Sequence, residues 1–260
     1  MSVELVYEDR YVQLYHGDCL QVLPQLADDS FDVTLTSPPY NLRDPDHKMG
    51  IDRTENGKWR NASIGSGYVD YDDAMPFEEY AQWQRNVLKE CWRVTSGAVY
   101  YNHKPRPVNG TIRLPLEWFE LPLRQIVIWA RAGGVNFSTS HYCPTHEWIM
   151  IGAKPEFRLK NKGASGVGDV WYIPQDSNTD HPAPFPIALA ARVIETTGCK
   201  TIFDPYSGSG TVLLAAKLAN IKAVGIEKSR LYCDQIIKRL SSQEVFEFES
   251  EQLKQIELIV

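Results

Sequence analysis

Thr201-Ile202-Phe203-Asp204-Pro205-Tyr206-Ser207-Gly208-Ser209-Gly210-Thr211, continued to Leu240, is the stretch that decides the fold. Thr201 to Phe203 reads as a strand, Asp204 to Gly210 as a tight turn, and Thr211 to Asn220 as a helix. Lys222 to Ile226 then reads as a strand and Ser229 to Leu240 as a helix. This βαβα unit is the signature of an α/β domain with a parallel sheet. The turn's glycines let the backbone approach a ligand, and the helix opening at Thr211 turns its amino end toward anionic groups. Glu227 closes the next strand, 23 residues beyond Asp204. Such folds place a carboxylate on a ribose diol at a step of about 20 residues. Leu213 stands where a dinucleotide fingerprint needs its third glycine, and no Gly-Lys-Ser/Thr is present. A nucleoside cofactor is therefore favoured over a pyrophosphate one.

Far upstream, Thr36-Ser37-Pro38-Pro39-Tyr40-Asn41 follows Phe31 to Leu35, which reads as a short buried strand. Ligands of open α/β sheets sit outside the carboxyl ends of strands. The prolines fix φ and remove two backbone donors, which leaves carbonyls, a hydroxyl and an aromatic ring to face a flat guest bearing an amino group. Asn41 and Asp44 read as turn-stabilising side chains.

Between these stretches, strands are expected at 5–7, 11–15, 94–101, 125–130 and 146–151, and helices at 19–26, 76–93, 116–119 and 184–196. Asp18 suits the cap of the first helix. Residues 42–75 read as a long polar loop. Lys104, Arg106 and Arg113 mark one basic stretch, and Lys154, Arg158, Lys160 and Lys162 another. Residues 241–260 fit a peripheral helix, strand or tail. The 260 residues suit a single domain, with loop insertions at about 42–75 and 154–180 as candidate recognition elements.

Charge is acidic, 27 Lys+Arg against 33 Asp+Glu, which excludes a protein held on nucleic acid by bulk charge alone. The five cysteines lack CxxC spacing, so neither a disulfide framework nor a metal site is expected. His141, Cys143 and His146 lack a fourth ligand and read as structural. With no leader and no bilayer-length apolar run, the expected setting is cytoplasmic, without a membrane partner.

Ser37-Pro38-Pro39-Tyr40 and Tyr206-Ser207-Gly208-Ser209-Gly210 together resemble the two motifs of the S-adenosylmethionine-dependent amino-group DNA methyltransferases. Those motifs are (Asp/Asn/Ser)-Pro-Pro-(Tyr/Phe/Trp) and Phe-x-Gly-x-Gly, and Tyr206 replaces the usual Phe. The catalytic motif comes first, which resembles the β arrangement. The resemblance spans roughly residues 14 to 240 and takes in Thr145-His146-Glu147-Trp148 and His181 to Pro186, where Ala183 and Phe185 depart from the commoner form. It implies a Rossmann-like class I methyltransferase fold, with a mostly parallel central sheet flanked by helices.

By the same resemblance, Ser37, Pro38, Pro39 and Tyr40 are the catalytic residues. Asp18, Asp204, Tyr206, Ser207, Gly208, Ser209, Gly210, Thr211 and Glu227 hold S-adenosylmethionine and its product S-adenosylhomocysteine. Double-stranded DNA is the implied substrate, with a prokaryotic or phage source, and a homodimer and a restriction endonuclease are the implied partners. Serine in the first motif resembles the cytosine-N4 members, and aspartate the adenine-N6 ones. An exocyclic amine has its lone pair delocalised into the ring, so acceptors such as Ser37 Oγ and the Pro38 carbonyl would localise it for methyl transfer. The target base must leave the duplex, and Tyr40 would stack on it. Adenine N6 methylation and a non-catalytic DNA-binding subunit with the same fold are the alternatives; an NAD-type oxidoreductase is disfavoured by Leu213.

Overall fold

The computed structural model describes residues 3–41, 74–108, 110–131, 133, 141–160, 166–175 and 186–242. The chain opens with an antiparallel hairpin of β1 (Glu4–Glu8) and β2 (Val12–His16). Asp9 shapes its turn, because Oδ1 accepts from the Tyr11 and Val12 N–H groups, both at 2.8 Å. Asp18 caps α1 (Cys19–Val22) by accepting from the Leu20 N–H at 3.0 Å. The helix expected as far as Leu26 stops at Val22. Pro24 has no N–H to continue it, and Leu23–Gln25 forms a 3-10 turn instead.

β3 (Phe31–Thr36), α2 (Phe77–Val94) and β4 (Thr95–His103) follow, then the small hairpin β5 (Arg106–Val108) and β6 (Thr111–Arg113). β7 (Leu123–Ala130), β8 (His146–Ala153) and β9 (Val170–Tyr172) lead to α3 (Ile187–Thr197). β10 (Thr201–Asp204), α4 (Thr211–Leu218), β11 (Lys222–Glu227) and α5 (Arg230–Ser241) form the anticipated βαβα unit. The expected helix at 116–119 is a 3-10 turn over Pro115–Glu117, and the strands β5, β6 and β9 were not anticipated.

Among the described residues, nine strands form one sheet in the order β1-β2-β11-β10-β3-β4-β8-β7-β9. Only β1 and β8 run against the rest, so the mostly parallel sheet is as expected. Central strands buried on both faces explain the near-continuous apolar runs. On β4, Ala98 and Tyr100 join the core beneath α3, α4 and α5, while Val99 and Tyr101 join the core beneath α1 and α2. Asp32 fixes the entry of β3 beside β10 by accepting from the Lys200 N–H at 2.6 Å and the Thr201 N–H at 3.2 Å.

Five adjacent parallel strands, β2, β11, β10, β3 and β4, finish at one edge. His16 lies beside Glu227, Asp204 beside Gly225, and Thr36 beside Tyr101. Among the described residues no helix is long and apolar enough to cross a membrane.

Candidate active site

Parallel pairing of β10 with β3 brings the two motifs side by side. Thr36 Oγ1 donates to Asp204 Oδ1 at 2.8 Å, a buried bond between residues 168 apart in sequence. Asp204 is 1% exposed. Burial pushes its carboxyl up to about 7, against the bonds from Thr36 and the Tyr206 N–H, while the Glu227 charge adds to the rise.

Beyond Asp204 the chain turns tightly: the Ser207 N–H donates to the Ile226 carbonyl at 2.9 Å, and the Gly210 N–H to the Ser207 carbonyl at 2.7 Å. Gly210 has φ 76°, and a Cβ there would lie 2.9 Å from Ile236 Cγ2. Gly225 on β11 faces the turn, where a Cβ would collide with Ser207 Oγ and sit 2.7 Å from Leu213 Cδ1. The helix thus approaches the sheet over a glycine on the neighbouring strand, where a third glycine in the turn would otherwise serve. The Ser209 and Thr211 hydroxyls bond each other at 3.1 Å, and Arg239 from α5 donates to the Ser209 carbonyl at 3.1 Å and to Thr211 Oγ1 at 3.3 Å, which fastens turn to helix.

Glu227 Oε2 accepts from the Gly208 N–H and Oε1 from the Ser229 N–H, both at 2.8 Å. A carboxylate offers about four acceptor positions, so this orientation is compatible with a ligand diol. Asp18 stands beside it, since the Gly17 N–H donates to the Glu227 carbonyl at 3.0 Å and Lys228 Nζ lies 3.5 Å from Asp18 Oδ2. The Tyr206 ring packs edge-on to Trp83, with centroids 5.5 Å apart. Burial pushes its hydroxyl well above the usual phenol range. Two carboxylates, a glycine turn and a buried acid at the ends of β2, β11 and β10 form a cradle suited to a nucleoside with a cationic substituent.

The Ser37–Tyr40 motif is held by a buried polar network. Tyr40 Oη donates to Glu147 Oε2 at 2.8 Å, and Ser37 Oγ lies 2.9 Å from Tyr40 Oη. A phenol has one proton, so Ser37 is the donor to Tyr40, and its oxygen is left as an acceptor. Asn102 Nδ2 reaches Tyr40 Oη and Glu147 Oε2 at 2.8 Å and Ser37 Oγ at 3.2 Å. Arg131 Nη1 lies 3.3 Å from Glu147 Oε1 and offsets the buried charge.

The carbonyls of the loop are allotted as well. Tyr80 Oη donates to the Pro39 carbonyl at 2.8 Å. Its oxygen therefore accepts from His103 Nε2 at 2.8 Å, and Nδ1 accepts from the Lys104 N–H at 2.9 Å. Burial pushes His103 down to about 3, which keeps the ring neutral. Arg106 Nη1 donates to the Tyr40 carbonyl at 2.7 Å and the Asn41 carbonyl at 2.6 Å. Among the described residues the Pro38 carbonyl receives no donor. Asn41, with φ 52°, bonds the Met75 main chain in both directions at 2.8 and 2.9 Å, the turn role expected of it. The Tyr40 ring is buried, 4.6 Å from the His103 ring and 5.1 Å from Lys104 Nζ.

Every residue singled out from the two motifs, with Asp18 and Glu227, lies at this edge of the sheet. Sequence reasoning missed Asn102, Arg131, Tyr80 and His103, and gave Glu147 only as part of a segment. A polar pair ending the apolar run Ala98 to Tyr101 was the available signal for Asn102 and His103. Asp44, most of the 42–75 loop and His181 to Phe185 lie outside the described residues.

Comparison with known proteins agrees with this geometry. A family described as DNA methylase matches residues 31–238. The Type II methyltransferase M.ScaI of Streptomyces caespitosus is 29% identical over 280 residues, covering 91% of this chain and 84% of that protein. In fold, the chain is similar to the PvuII DNA methyltransferase (cytosine-N4-specific), with a TM-score of 0.71, 15% identity, and 97% and 95% of the two chains covered. It is also similar to the M1.HpyAVI–SAM complex, with a TM-score of 0.56, 17% identity, and 89% and 100% covered. With motif order, sheet order and family match in accord, the chain belongs to the DNA methylase family.

Proposed function

We propose that this DNA methylase transfers a methyl group from S-adenosylmethionine to the exocyclic N4 of cytosine in duplex DNA. The observation that carries the reading is the placement of Ser37: Oγ lies 2.9 Å from Tyr40 Oη, whose own proton goes to Glu147, so a serine proton given to Tyr40 would leave Oγ, beside the Pro38 carbonyl, as an acceptor at the strand exit. Two acceptors suit the two N–H bonds of an amine and favour its pyramidal form, in which the lone pair is localised. S-adenosylmethionine, when bound, supplies an electrophilic methyl on a sulfonium.

Asp18 would meet the adenine and Glu227 the ribose hydroxyls, and Asp204 the cationic side of the cofactor. The Thr36–Asp204 bond sets the distance between the cofactor cradle and the amine acceptors. Methyl transfer forms an N–C bond and breaks the S–C bond, giving S-adenosylhomocysteine and a proton shed from the amine. Neither Ser37 nor Pro38 needs to act as a strong base, because the methylated nitrogen is acidic. Tyr40 would bear on the extruded base from the pocket wall.

Residues 1–260 are taken as one catalytic unit that reads a brief site through loops, alone or as a dimer, with a restriction endonuclease as a candidate companion. Serine at position 37 is what favours N4 of cytosine. The test is to incubate the protein with labelled S-adenosylmethionine and diverse duplex DNA, digest, and identify the nucleosides. N4-methylcytosine is expected. N6-methyladenine would overturn the choice of base, and cofactor binding without any methylated base would favour the non-catalytic subunit.

A further inference from the structure

Three stretches of the chain are basic enough to meet DNA, and the structure separates two of them. Lys154 is at the wrong edge of the sheet. Its N–H donates to the Gly97 carbonyl at 2.9 Å and its ammonium faces Asp29, at the amino ends of β3 and β4. Lys160 likewise bonds the Thr196 carbonyl at the end of α3. His103 lies six residues further along β4 than Gly97, about 20 Å at 3.3 Å per residue.

The β5–β6 hairpin lies at the correct edge. It leaves directly from His103, and Arg106 fastens it to the main chain of Tyr40 and Asn41. No Asp or Glu occurs between Tyr101 and Leu116, and Lys104, Arg106 and Arg113 line one recess with Phe77 and Trp118. Arg113 stacks over Phe77, its guanidinium carbon 3.5 Å from the ring centroid, and its Nη1 is buried with no acceptor among the described residues, a donor left for an oxygen entering the recess. A guanidinium stacked in this way keeps its planar donor edge for tetrahedral oxygens. In a chain of net charge −6, a polyanion has to be met by such a local patch.

We propose that Lys104 and Arg113 of this recess hold phosphodiester groups of the DNA strand beside the extruded nucleotide, and that the 154–160 stretch does not touch DNA. The proposal rests on the methyltransferase reading of the site. Each phosphate contact contributes about 0.9 to the slope of log K against log salt, which corresponds to roughly eightfold in affinity at 0.1 M salt. Arg113→Gln should therefore weaken binding of a duplex about eightfold and flatten the salt slope by about 0.9. Lys104→Gln should do the same alone, and Arg113→Lys should restore part of the loss. Arg158→Gln with Lys160→Gln should bind as the wild type does, and S-adenosylmethionine affinity should be unchanged throughout. A wild-type salt slope in both Arg113→Gln and Lys104→Gln, or an equal loss in the Arg158/Lys160 pair, overturns the assignment while the wild type still methylates. A wild type that methylates no base removes the underlying reading as well.

Discussion

Ser37 is defined by where its proton goes. With Tyr40 donating to Glu147, the proposed role of the serine oxygen is that of an acceptor, and Glu147 would act on the reaction only by holding that arrangement. Ser37→Ala should lower kcat by about a hundredfold, the order found on removing one preorganised hydrogen-bonding group. Tyr40→Phe leaves the serine in place but frees its proton, and Glu147→Gln exchanges the charged acceptor that orients Tyr40 for a weaker amide. Both should lower kcat by roughly tenfold or more with S-adenosylmethionine affinity unchanged, as steady-state kinetics and calorimetry would show. Asp204 gives a second prediction, in pH. Burial raises its carboxyl from 3.8 to about 7, so in the free protein its contribution to stability declines as pH rises from about 4 through 7. A sulfonium cofactor favours the ionised form, so cofactor affinity should rise between pH 6 and 8, with proton release on binding. Calorimetry in buffers of different ionisation enthalpy should detect that proton, and Asp204→Asn should abolish it.

At the scale of elements, the edge hairpin shows how one ion pair ties several pieces. Lys217 on α4 bonds Asp9 at 2.6 Å, Tyr7 at 3.0 Å and the Leu240 carbonyl at 2.8 Å. Burial works to raise the Asp9 carboxyl, but the Lys217 ammonium, the Tyr11 and Val12 N–H groups and the Tyr7 hydroxyl outweigh it and hold it at about 2. Its contribution is present above pH 4 and lost as pH falls through 2. Asp9→Asn should cost about 1–2 kcal/mol in urea unfolding at pH 7 and almost nothing at pH 2. Elements with a strong period, such as α2, β3 and the βαβα unit, were legible in the sequence because burial on one or both faces imposes that period. The β5–β6 hairpin was not, since its strands have three residues each and Pro107 lies inside one. Asn109-Gly110, a two-residue hairpin signal, was its one visible mark. Asn102 and Glu147 lie 45 residues apart on neighbouring antiparallel strands, and only the register of β4 on β8 places them together.

For the molecule as a whole, the Thr36–Asp204 bond makes the two halves of the site one object. Thr36→Val removes the donor but keeps the shape, and Asp204→Asn removes the charge. In a double-mutant cycle on cofactor affinity the pair should couple by about 1 kcal/mol, whereas two independent halves would give additive losses. The sheet order also fixes a sequence in time. Asp204 is synthesised 168 residues after Thr36, which at about 5–20 residues per second is roughly 8–34 s. Through that interval a nascent chain can pair β3 with β4, yet the other edge of β3 stays open and Thr36 has no carboxylate to meet. β2 waits longer still, for β11. Competence therefore arrives with the last strands to be made: the network around Ser37 and Tyr40 can assemble by residue 147, but the motif waits for its cofactor half until β10 is made.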